Sequence, residues 1–463
     1  MAADRRARGL SGMVDDPTPV VAAYIAAAGA RDLPAEVAAK TRLHILDSIA
    51  AILSGSRLKP GRFGATFAES LGGRPEATVL GTAIVTSVVN AALANGMAGH
   101  ADETDDSHLE GRFHPGCAIV PAALAIAERN GAGGEAFLRA VALGYDIGAR
   151  FTMALRYASP KSAMHSTHSL GALFGSAAAA GSLLRLDARQ SAWLLSYAAQ
   201  QASGIPSWNR DAEHVEKAFD SGGMGARNGV YAALMVAAGA TGVSDVLSGH
   251  HSYLASFGEA PDPAMLTAEL GSRHEVMRTN IKKWCVGSPI QAALDALAYL
   301  IETHGLRAEE VKSLTAHMPD DRLHIVDNRD IPDISLQHLL AVMLIDGTLT
   351  FQSSHEDERM HDPAVLAMRG RIRALPSAEL TVARPARQAI ILVETLDGRV
   401  LERRTFAVLG TPDNPMSQQE VEAKADDLMA PVIGAERSRL LIERLRDPEG
   451  IADMGSLRPL LSA

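Results

Sequence analysis

Cysteine is nearly missing from this chain: its 463 residues include two, Cys117 and Cys285. Two thiols build no disulfide scaffold and supply no iron–sulfur cluster with its three or four thiolates. A reducing compartment is the default, and the cytoplasm is the expected location. Aromatic residues are scarce at 4%, while alanine makes up roughly a sixth of the chain. Alanine is the best helix former and lets helices approach closely, so the composition argues against a mainly β protein. No run of about 18 consecutive apolar residues occurs, so no membrane-spanning helix is expected. The longest candidate, 170–184, is interrupted by glycine and serine and reads as a buried helix. The first residues (MAADRRARGLSGMVDDP) carry charges but no apolar stretch, and no secretory leader is expected there. There is no Lys/Arg-rich block, and 54 acidic against 44 basic residues give a net charge of −10, so a nucleic-acid partner is not expected.

Hydrophobic residues make up 47% of the chain, enough for a substantial core, and the length suggests two or three domains. Helical spacing predominates from residue 20 to about 270. Helices are expected over 20–30, 34–54, 65–71, 87–99, 118–129, 134–157, 169–184, 187–203, 225–240 and 244–247, with a short strand at 76–80. Pro34 suits a first helical turn and Gly55 a helix end. The pattern changes after about residue 270. Residues 311–317 and 380–383 alternate like strands, and 388–395 with 399–406 flank an Asp397-Gly398 hairpin turn. Helical stretches at 288–304 and 336–348 lie between them. Helix returns at 417–429, where Ser417 and Glu420 fit a capping box, and at 436–445. The expected architecture is mainly α. A large helical domain (1–270) is completed by the C-terminal segment (409–463), and an α+β unit (271–408) is inserted between them.

Four polar constellations stand out. Residues 100–108 (HADETDDSH), followed by His114-Pro115-Gly116, join two apolar helices. Acid–base chemistry or substrate binding, a divalent metal site, and plain helix capping all fit that composition, although no HExxH or EF-hand spacing supports the metal. His165-Ser166-Thr167-His168-Ser169 precedes a Gly/Ala-rich helix, whose free N–H groups suit a carboxylate ligand or are simply capped. Residues 208–228 bring His214, Lys217 and Arg227 near several glycines, without a P-loop ending. Ile281-Lys282-Lys283-Trp284-Cys285 sets paired lysines beside apolar residues, where Lys282 suits a charge clamp or proton carrier; burial is the simpler account of Cys285. Together these are the groups needed to hold a polycarboxylate and move its α-proton.

The order and spacing of several segments resemble the MmgE/PrpD family, which contains 2-methylcitrate dehydratase, cis-aconitate decarboxylase and iminodisuccinate epimerase. The likeness runs from about Val20 to Leu445. It is carried by 46–55 (LDSIAAILSG), by 90–114 with its Asp105-Asp106-Ser107 core, and by His165 with Gly171. Lys217 with 226–229 (ARNG), Ile281-Lys282 and Leu344-Ile345-Asp346-Gly347 carry it further. The resemblance implies a helical domain built from both chain ends, a smaller α+β lid, a pocket between them and a homodimer. It implies no cofactor and no metal. It places His114, His165, Lys217 and Lys282 at catalytic or substrate-binding positions, and Glu103 and Ser107 where decarboxylase-type members carry Asp and Thr. This chain departs from the family pattern at Asp102-Glu103-Thr104, usually hydrophobic–Asp–aromatic. It also departs in the tyrosine-free stretch 325–328 and in the missing proline near Lys282. These departures count against cis-aconitate decarboxylation and against a simple transfer of 2-methylcitrate as substrate.

The expectation is a cofactor-independent lyase, first of all a hydro-lyase, acting on a small di- or tricarboxylate. Lys217, Lys282 and Arg227 would anchor carboxylates, and His114 or His165 would carry the proton. An epimerase or isomerase of a dicarboxylate and a non-catalytic carboxylate binder are the alternatives.

Overall fold

The computed structural model describes residues 16–158 and 164–463. Residues 1–15, where no secretory leader is expected, lie outside the described residues. Helices form where the sequence spaces its apolar residues for them. Ala35–Gly55 begins directly after Pro34 and buries Ile45, Ile49, Ile52 and Leu53. Ser87 opens Val88–Gly99 by accepting the Asn90 N–H. Asp187 and Gln190 form a capping box at the start of Ala188–Gln200.

Small residues set how closely these helices pack. Gly134–Met153, Thr167–Leu183 and Met224–Ala237 share one core. A Cβ added at Gly148 would lie 2.6 Å from the Gly171 carbonyl oxygen, and one at Gly225 would lie 2.4 Å from the Ala172 Cβ. Neither helix pair could approach as it does with a larger residue there.

The chain ends meet. Gln418–Ile433, opened by the Ser417/Glu420 capping box, packs on Ala35–Gly55. Buried Lys424 donates from Nζ to Asp47 Oδ1 at 2.6 Å across that contact. One apolar core joins residues from Val21 to Cys285 with residues from Met416 to Leu461. A second runs from Trp284 to Val408 and belongs to the smaller α+β unit. Its four-stranded sheet is ordered Ile372–Ser377, Val311–Pro319, Ala389–Thr395, Val400–Thr405. The first pair is parallel and the others antiparallel, and Gln291–His304 and Leu336–Asp346 pack against it. The architecture is mainly α with a small α+β part, as expected.

Three local expectations change. Residues 380–383 are not a strand: Ala378–Val382 is helical, with Ser377 accepting the Leu380 N–H. The fourth strand is Ile372–Ser377 instead, an edge strand in which Pro376 is tolerated. Residues 244–247 form turns, not a helix.

Candidate active site

The helix Val88–Gly99 ends at His100, and the polar run that follows turns inward. Every residue from His100 to His108 is buried, so the run is no solvated cap. Ser107–His108 pairs antiparallel with Thr279–Asn280, Ser107 opposite Asn280. This two-residue ribbon delivers Lys282 to the carboxylates. Its Nζ donates to the Glu103 carbonyl oxygen at 2.6 Å and lies 3.6 Å from Glu103 Oε2 and 3.7 Å from Asp105 Oδ1. Lys217 reaches the same Glu103 carboxylate from the short helix Val215–Ala218.

The four acidic residues of the run divide the work. Asp102 faces the α+β unit, where His355 Nε2 lies 2.9 Å from its Oδ2. Glu103 faces the two lysines. Asp105 faces imidazoles: His100 Nδ1 at 2.9 Å and His114 Nδ1 at 3.1 Å. Asp106 faces the core, where it accepts from the Tyr145 hydroxyl at 2.6 Å and from the Gly116 N–H at 2.8 Å, and pairs with His44. Asp106 thus fixes the start of the helix Gly116–Asn130, directly after His114.

His114 donates from Nδ1 to the Asp106 carbonyl at 2.7 Å, which leaves Nε2 to carry a mobile proton. Its ring centroid is 4.6 Å from that of His100 and 5.2 Å from that of His168, and His214 lies 5.3 Å from His100. Four imidazoles are therefore contiguous. Burial lowers the pKa of His100, lowers that of His168 well below the usual range with help from His114, and lowers that of His214 to about 3. These three rings are neutral near pH 7. Burial alone would raise Glu103 and Asp105. The lysines beside Glu103 and the imidazoles beside Asp105 outweigh it, and both carboxyls stay well below their ordinary range.

The residues singled out in the sequence fall into two groups. Glu103, His114, Lys217 and Lys282 are brought together, and Ser107 stands beside them on the ribbon with its hydroxyl buried and unpartnered. His165 and Arg227 are not. His165 packs edge-on against Phe257, 4.7 Å between centroids, and among the described residues makes no ion pair or ring contact with the cluster. Arg227 donates to Asn228 and lies over the Phe219 ring. His100, Asp105, His168, His214 and His355 join the site without having been assigned a role. The density of His and Asp in 100–108 was the available signal for the first two; His355 had none.

A cavity of about 330 Å³ opens between the two parts of the molecule, bounded by Ser107, Asn280 and Lys282 on one side and by Arg387 and Val408 on the other. Lys282 and Ser107 belong to both the cavity wall and the buried cluster. Two groups have metal-ligating composition: His100, Asp105 and Cys117, and His100, Glu103 and His214. In both, the carboxylate is already matched by protein cations, and burial raises the Cys117 thiol well above its usual range, keeping it protonated. The donor chemistry favours ion pairing over a metal.

A helical body with an α+β unit, and buried lysines, carboxylates and imidazoles beside the cavity between them, has the composition of an enzyme site. The chain matches the MmgE/PrpD N-terminal domain over residues 20–266 and the MmgE/PrpD C-terminal domain over residues 284–447. It belongs to the MmgE/PrpD family. It is 26% identical to the cis-aconitate decarboxylase-like protein oryM of Aspergillus oryzae, over 93% of this chain and 94% of that protein. It is 22% identical to cis-aconitate decarboxylase of Homo sapiens, over 91% of this chain and 89% of the human protein.

Proposed function

We propose that the protein is a lyase that moves a proton at the carbon next to a carboxylate of a small di- or tricarboxylate. The observation that carries this reading is the buried Glu103–Lys217–Lys282–Asp105 network in contact with His114 and His100. A carbon acid beside an ionised carboxylate resists deprotonation, because the product carries an enolate-like charge. Lys282 and Lys217 offset that charge. His114, its Nδ1 proton held by the Asp106 carbonyl, carries the proton on Nε2, and neutral His168 beside it accepts or returns it. Glu103 holds the two ammonium groups in place, and Ser107 lies at the cavity wall with its hydroxyl buried. His165 stands apart from the reacting groups, and Arg227 packs on Phe219 beside the Lys217 segment.

Dehydration of a hydroxy-tricarboxylate such as 2-methylcitrate uses the full set: a base for the carbon proton and an acid for the departing hydroxyl. Decarboxylation is the second reading, favoured by the names of the two relatives; there the same imidazole protonates the carbanion left by carbon dioxide. The enzyme would act in the cytoplasm as a homodimer, which sedimentation would test. Turnover screening against 2-methylcitrate, citrate, cis-aconitate and iminodisuccinate separates the readings. An unsaturated product supports dehydration, and carbon dioxide release supports decarboxylation. Deuterium uptake at a stereocentre without loss of water would replace both with epimerisation. Ligand stabilisation with no chemical change would make the protein a carboxylate binder.

A further inference from the structure

Most cations near the cavity are already matched. Lys282 faces Glu103 and Asp105, and Arg278 pairs with Glu110 and Glu275. Arg387 is different. It lines the cavity from the α+β unit, and among the described residues no carboxylate lies within ion-pair distance of its guanidinium, although Glu103 and Asp321 attract it from farther off. Its backbone sits in the left-handed region at φ +65°, a conformation that costs a non-glycine residue energy and recurs at ligand sites.

Arg322 stands near it, and Arg112 stands near Arg322. Arg322, from Asp320–Val326, is close enough to oppose the charge of both Arg387 and Arg112. Its ion pair is with the adjacent Asp321 at 3.3 Å. Arg112 comes from the helical part, has φ +53°, and keeps one guanidinium nitrogen, Nη1, buried without a partner. Guanidinium groups close to one another raise each other's energy unless an anion lies between them. Arginine's planar fork matches a carboxylate through two parallel hydrogen bonds, which a lysine cannot provide.

We propose that Arg387, supported by Arg322, binds a substrate carboxylate remote from the reacting carbon, and so selects di- and tricarboxylates over monocarboxylates. This rests on the carboxylate-lyase reading above. It gives the cavity two cationic walls: Lys282 beside the chemistry and Arg387 across from it. A volume of about 330 Å³ lies at the small end of the roughly 300–1,000 Å³ of small-molecule sites.

The test is calorimetric titration of the full chain with tricarballylate, a tricarboxylate without a hydroxyl to lose, and with isobutyrate as the monocarboxylate. Arg387→Gln should weaken tricarballylate binding at least about tenfold, the loss of one charge-assisted contact. Arg387→Lys should lose less, and Arg322→Gln should weaken binding severalfold. Isobutyrate binding should be equal in all four proteins. Since Arg387 makes no direct ion pair among the described residues and feels Glu103 and Asp321 only at longer range, the Arg387 variants should melt close to the wild type. Wild-type affinity for tricarballylate in Arg387→Gln would overturn the assignment while leaving the lyase reading intact. A wild-type protein that binds no polycarboxylate would overturn both. Inorganic phosphate competing as strongly as tricarballylate would overturn the carboxylate assignment.

Discussion

Lys282 is only 2% exposed, yet it faces two carboxylates. Removing a buried charge strands its partners, and that penalty exceeds the net worth of the pair. Lys282→Met should therefore cost about 3–5 kcal/mol of stability by urea denaturation and abolish turnover. Adding Glu103→Gln should restore much of the stability and none of the turnover, which separates the structural effect from the catalytic one. At this scale the sequence revealed which residue types gather but not which way each one faces. His165 and His168 are three positions apart across a helix start. Residue 168 lies within the first turn of Thr167–Leu183, where packing aims its ring at His114, while residue 165 precedes the helix and rests on Phe257. Steady-state kinetics should show His168→Gln lowering kcat by about two to four orders of magnitude, the usual contribution of a positioned acid or base. A smaller kcat effect than that of His165→Gln would reverse the roles of the two rings.

Elements place these side chains through backbone contact. The segment carrying His214 and Lys217 continues into a π-helical turn, Phe219–Gly223, pressed against Val88–Gly99. A Cβ at Gly222 would lie 2.1 Å from the Gly96 carbonyl oxygen, a distance no side chain accommodates. Gly222→Ala should cost about 2–4 kcal/mol, visible as a lower Tm, and should raise KM more than it lowers kcat as Lys217 shifts from Glu103. Unchanged Tm and KM would mean that the two backbones separate freely. Helix positions were legible because apolar spacing and caps such as Ser87, Asp187 and Ser417 agree with each other. Strands were less so. Residues 380–383 look strand-like by β-branching, but Ser377 caps them as a helix. The true strand beside them contains Arg373 and Pro376, which only an edge position explains.

The packing of the chain's C-terminus on the helical core was legible from the return of helical spacing after the hairpin, while the apolar cores change over near residues 285 and 408–416, with Val276, Ile281 and Cys285 still in the helical core. What the sequence could not indicate is the joint between the two parts, because it pairs residues 253 positions apart. His355, from Phe351–His355 of the α+β unit, meets Asp102 at 2.9 Å, one residue before Glu103. Burial opposes a charged imidazole there, but Asp102, and then Asp333, outweigh it and raise His355 to about 9. A group whose pKa is raised by folding adds stability that is complete below its unfolded value and disappears as pH rises through its folded one. The contribution of His355 should thus be full below about pH 6.5 and lost around pH 9. Asp102, lowered on balance by the same contact, keeps its share down to acidic pH. Thermal unfolding of the wild type and of His355→Gln should differ most at pH 6–7 and converge above pH 10. If the pair also aligns Glu103 with Lys282, turnover of the wild type should decline over the same alkaline interval, and His355→Gln should be slower at neutral pH with that decline removed. Parallel unfolding curves at every pH would show that the joint carries no charge-dependent stability.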